Sequence, residues 1–80
     1  MKGQKAIDFG NALLKGADKL ELRSTRGEVM ICEYLGRAAG YPVQEFKVAL
    51  PDGIVMSVSV AEIERAHIWY KDGREEIFVE

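Results

Sequence analysis

Hydrophobic and polar residues alternate most regularly between Val43 and Arg65, in VQEFKVALPDGIVMSVSVAEIER. Phe46, Val48 and Leu50 share one side of an extended chain. Ile54, Met56, Val58 and Val60 share one side of the next run. A period of two predicts strands buried on one side and wet on the other. Leu50-Pro51-Asp52-Gly53 between them suits a tight hairpin turn, with proline pre-set for the second position. Ala61 to Arg65 is too short for a full helix and reads as one helical or 3₁₀ turn with Ile63 pointing inward.

The rest of the chain fits around this hairpin. Ala6, Phe9 and Leu13 recur at helical spacing, with Ile7 and Leu14 beside them, and predict a helix over 4–16. Lys15 and Gly16 suit its C-terminal end, Gly10 and Asn11 weaken its middle, and Asp8 is an alternative N-cap. Asp18 to Arg26 alternates, with Leu20 and Leu22 inward. Thr25-Arg26-Gly27-Glu28 is a turn. The next strand, from about Glu28 to Leu35, is apolar on both sides: Val29, Ile31 and Leu35 on one, Met30, Cys32 and Tyr34 on the other. That pattern predicts a strand covered on both faces. Gly36 to Pro42 reads as a loop. A fifth strand spans about Ala66 to Lys71. Asp72-Gly73 is a strong hairpin dipeptide, and Arg74 to Val79 pairs back as a sixth strand.

The expected fold class is mainly β with an N-terminal helix (α+β), and a helix, two hairpins, a helical turn and a fifth strand, in that order, resemble a five-stranded SH3-like barrel over 18–71, here with a C-terminal hairpin over 66–80, in one domain of 80 residues. A domain this small gains from oligomerisation. Strand 54–60 is a candidate open edge, with Met56, Ser57, Val58 and Ser59 as the residues that would pair with another copy.

Charge adds one asymmetry. Residues 1–40 hold seven bases and five acids, residues 41–80 four bases and eight acids, so a half at +2 precedes a half at −4. The total of −2 argues against a general grip on nucleic acid or anionic membrane. An acidic half can instead meet a basic partner. Glu62, Glu64, Glu75 and Glu76 are the candidates, as two carboxylate pairs in a turn and on the terminal hairpin. Arg37 and Tyr41, in the longest loop, form a second candidate contact, since an arginine near an aromatic can hold a base or a phosphate. Trp69 falls on the outward parity with His67 and is a candidate interface anchor, unless the final hairpin or the helix covers it.

Catalytic chemistry has little to stand on. His67 is the only histidine and Cys32 the only cysteine. Neither a metal cluster nor an internal disulfide can be built from them. Cys32 lies in a buried strand, and Ser57 and Ser59 read as the polar side of a half-buried one. The sequence therefore predicts a protein that is not an enzyme, with no cofactor and no metal. With no apolar run of membrane-spanning length and no signal peptide, the cytoplasm is the expected location.

In order, these elements resemble the Sm-like small barrels. The residues that carry the likeness are DKLELRSTRGEVMICEYLGR for the first hairpin, PVQEFKVALPDGIVMSVSVAEIERA for the second, and the step from Val60 to Ile63. Within that group the chain looks most like the Rho-termination inhibitor (Rof) family, with LELRSTRGE opening the barrel and VAEI ending the fourth strand. This resemblance implies a small regulator of a basic, RNA-binding partner in transcription termination. Where the Sm RNA-binding loop carries Asp and Asn, this chain reads GRAAGYP, so no RNA-binding residue is carried over. A second likeness covers only DFGNALLKG, which is similar to the opening of a small phage-encoded family that sequesters nucleotide signals.

Overall fold

The computed structural model describes residues 1–80. A helix, α1 (Gly3–Leu13), is followed by strands β1 (Ala17–Ser24), β2 (Val29–Ala39), β3 (Glu45–Ala49) and β4 (Val55–Ser59). A 3₁₀ turn, η1 (Val60–Glu62), leads into β5 (Ile63–Tyr70) and β6 (Glu75–Val79). All six strands form one antiparallel sheet in the order β4-β3-β2-β1-β5-β6. The chain is thus mainly β with an N-terminal helix. The sheet is open, with β4 and β6 as its end strands. The sixth strand expected from Asp72-Gly73 is part of this same sheet, because that turn folds β6 back along Arg65–Trp69 of β5: Gly73 N–H donates to Tyr70 O at 3.0 Å and Tyr70 N–H to Arg74 O at 2.9 Å. As a result β5 has β1 on one side and β6 on the other, and no free edge.

The core forms where the inward parities meet. Leu20 and Leu22 of β1, Cys32 of β2, Phe46 and Val48 of β3, Val58 of β4, and Ala66, Ile68 and Tyr70 of β5 are all buried. Ile63 is buried beside η1, as the sequence indicates. The helix closes this face of the sheet through Phe9 and Leu13, both fully buried. The Phe9 ring meets Phe46 edge-on at 5.8 Å and Phe78 of β6 at 5.7 Å. The Met1 nitrogen donates to the carbonyls of Val60, at 2.7 Å, and of Ile63, tying the start of the chain to η1.

Four expectations are corrected. The helix ends at Leu13 rather than residue 16, because Gly16 turns the chain with φ +92° into β1. Its N-cap is Lys2, not Asp8, and Leu14 is exposed. Residues 36–39 are not loop: β2 runs on to Ala39, and irregularities between Tyr34 and Gly36 and between Arg37 and Ala39 absorb the glycine. The loop shrinks to a turn around Gly40, where φ is +86° and a β-carbon would meet Gln44 Cγ at 2.8 Å. Finally, β2 is covered on one side only. Val29, Ile31 and Leu35 are exposed. The single helix covers the opposite side of the sheet, and no second layer exists to cover this one.

Candidate apolar cleft beside a free sheet edge

Hairpin lengths place the candidate site. The β3–β4 hairpin is closed by Gly53 N–H donating to Leu50 O and Leu50 N–H donating to Ile54 O, both at 2.8 Å. Its tip reaches past the covered part of the sheet. Val58 and Val60 are buried, but Met56 and Ile54 on the same side are 37% and 57% exposed. The four residues expected to share one buried side therefore divide, and only the end near η1 is covered.

A cleft of about 790 Å³ lies between this hairpin and the β1–β2 turn. Leu22, Met30, Leu50, Met56, Val58 and Ile63 supply most of its apolar lining, the exposed Val29 and Ile31 of β2 border it, and its charged residues are Arg26, Glu28, Asp52 and Glu62. Ser57 lines it as well, although its side chain falls on the outer parity, because the cleft reaches the free edge of β4. Arg26 lies 3.6 Å from Glu28, with both side chains largely exposed. Asp52 Oδ1 accepts the Ile54 N–H at 3.0 Å and keeps the hairpin tip in shape. Three carboxylates thus border the cleft against one guanidinium, and that one is already beside an acid. Apolar walls with a few polar groups at the margin are the usual make-up of a binding pocket.

Other sequence-predicted residues lie apart from this cleft. Arg37 and Tyr41 do come together: the guanidinium carbon sits 4.1 Å from the centre of the Tyr41 ring, a cation–π contact. They occupy the opposite end of β2 from Val29, roughly 25 Å along the strand at its usual rise. Trp69 is half-buried, and Glu75 of β6 stands opposite it in the sheet. His67 stacks on it at 3.8 Å with planes 10° apart. Glu75 lies 2.8 Å from His67 Nε2, so the histidine is held between an aromatic face and a carboxylate. Glu76 accepts a hydrogen bond from the Tyr70 hydroxyl at 2.5 Å. Desolvation first, and then this bond, push the Tyr70 phenol well above its ordinary range. Glu64 is exposed, and its carbonyl accepts the Glu80 N–H at 2.9 Å. The four glutamates therefore do not form one patch, and only Glu62 lines the cleft.

Glu28, Asp52 and Arg26 were not singled out by the sequence. Their signal was present in the two turns themselves, TRGE and PDG, but that both turns close on one cleft depends on the curvature of the sheet between them.

Cys32 is buried, and burial pushes its thiol up to about 11. No three residues among His, Cys, Asp and Glu are grouped to hold a metal ion. No helix is long and apolar enough to cross a membrane. No family model matches the chain, and no match to a curated protein or to a solved structure was found.

Proposed function

We propose that this chain is a small non-enzymatic binding protein that acts by engaging a basic protein partner. The observation that carries the reading is the acid-bordered apolar cleft: Glu28, Asp52 and Glu62 around Leu22, Met30, Leu50, Met56, Val58 and Ile63. Apolar contact supplies affinity there, and the carboxylates select a partner of opposite sign and raise its rate of encounter. A protein partner is favoured over RNA because the net charge of −2 offers no basic track for phosphates.

The order β5-β1-β2-β3-β4, with a 3₁₀ turn between β4 and β5, supports reading residues 17–70 as an Sm-like barrel variant to which β6 is added. On that reading the likeness to Rho-termination inhibitors gives the partner a biological setting, a basic component of the transcription termination machinery.

Low-salt capture on the immobilised protein, followed by mass spectrometry, tests the proposal. A basic protein should be recovered, released by salt, and lost when Glu28, Asp52 and Glu62 are changed to lysine. Reversal of Glu64, Glu75 and Glu76 should have the smaller effect. Recovery of nothing basic, or capture indifferent to all six changes, would reject it.

A further inference from the structure

The β4 edge has hydrogen-bonding groups to spare. Leu50 N–H donates to Ile54 O, and at the other end Val60 N–H donates to Gln44 O at 2.9 Å. Between them Met56 stands opposite Val48, and Val58 opposite Phe46, with no irregularity in register. Bonded positions alternate in an antiparallel ladder. Ile54, Met56, Val58 and Val60 therefore direct their backbone groups toward β3. Val55, Ser57 and Ser59 direct theirs away from it, and no strand lies on that side.

The usual protections are missing from this edge. From Ile54 to Ala61 there is no charge, no proline and no bulge. The β6 edge is different: it carries Glu75 and Glu76, and its inward residue Phe78 is packed against α1 through Phe9. The cleft lies beside β4, between that strand and the β1–β2 turn.

Resting on the basic-partner reading above, we infer that β4 accepts an extended segment of that partner as an added strand, with alternate apolar side chains entering the cleft and lysine or arginine side chains meeting Asp52, Glu28 and Glu62. Backbone hydrogen bonds hold such a segment, while alternate pockets and charges select it. A second copy of this chain is a poorer occupant. Its β4 brings no basic residue to the three acids, and pairing about a two-fold axis would bring two acid-bordered clefts together. Pairing of β4 with β5 of another copy is closed off, because β6 already occupies that edge of β5.

The test uses the full chain and a fluorescent peptide, Arg-Val-Lys-Val-Arg-Val-Thr, read by anisotropy, with a control peptide in which glutamates replace the basic residues. The basic peptide should bind and weaken with salt, and the acidic one should not bind. Ser57→Pro removes an amide that points away from β3 and leaves the β3–β4 ladder intact; it should weaken binding at least about tenfold, and well beyond the effect of Ser57→Ala, which keeps that amide. Should the proline variant fail to fold, two N-methylated peptides decide with the native protein. Methylation of alternate amides of one parity should abolish binding, and methylation of the other parity should leave it largely intact. Equal tolerance of both peptides, or undiminished binding by a folded Ser57→Pro, overturns strand addition. Acid-dependent capture of a basic protein would survive that result, so the two readings fail separately. No binding of the basic peptide at low salt also overturns the inference. So does a concentration-dependent dimer that Ser57→Pro dissolves, since the occupant is then a second copy.

Discussion

Cys32 and Tyr34 lie two positions apart on the inward side of β2, and each has been desolvated without an added partner. The Cys32 thiol, raised to about 11 by burial, is almost wholly protonated at neutral pH, and the thiolate is the reactive species. Thiol labelling of the native protein at pH 7.5 should therefore be slower than that of the urea-unfolded chain by well over about tenfold. Equal rates would show that the strand opens freely. Tyr34 has a hydroxyl that is buried with no hydrogen-bond partner. Leaving such a group unsatisfied costs about 1–3 kcal/mol. Tyr34→Phe should leave stability unchanged or raise it by about 1 kcal/mol, as read by urea denaturation. A loss larger than about 1 kcal/mol would mean that the hydroxyl is satisfied after all.

Among the elements, α1 shows why a propensity reading falls short. Gly10 looks like a weakness in the middle of a helix, worth about 1 kcal/mol against alanine. In the fold it is buried, and a β-carbon there would meet Val43 Cβ at 3.2 Å and Val43 O at 3.3 Å. Val43 is itself 3% exposed and has little room to give. Overpacking costs about 1–3 kcal/mol, so it should outweigh the gain in propensity. Gly10→Ala is expected to lower stability by about 1 kcal/mol, and a higher melting temperature would contradict that. The strands follow the same logic. Alternation in Phe46-Lys47-Val48 was legible because one periodicity corresponds to one covered face. The apolar pattern of β2 was misleading, since Val29 and Ile31 are as hydrophobic as core residues and yet exposed. Whether a second layer covers them is not encoded in the strand.

At the scale of the whole molecule, stability depends on docking α1 across one face of the open sheet. Phe9 is the main anchor, touching Phe46 in β3 and Phe78 in β6, and so links strands far apart in the sheet order. Truncating a buried phenylalanine costs about 3–5 kcal/mol. A domain of this size has a total stability of only about 5–10 kcal/mol, so Phe9→Ala should leave it marginal or unfolded at room temperature. Circular dichroism during a thermal melt checks this; an unchanged midpoint would mean that the helix is not integral to the fold. The candidate cleft also belongs to this scale. It is assembled from two turns and two hairpins, Arg26 and Glu28 on one side and Pro51 and Asp52 on the other. Nothing local to either turn states that the other is across from it.

By itself the sequence determined the element order, the turns at Gly27, Gly53 and Gly73, the inward set Leu20, Leu22, Phe46, Val48 and Ile68, and the burial of Cys32. These follow from local rules: side-chain periodicity, backbone preference, and one polar–apolar choice per position. Tertiary structure alone decided that β2 continues through Gly36 to Ala39, that one face of β2 stays uncovered, and that the tip of the β3–β4 hairpin reaches past the helix and is left exposed. Those outcomes depend on which strands lie side by side and how far each extends past its neighbour, and pairing over long distances leaves no periodic mark in either partner.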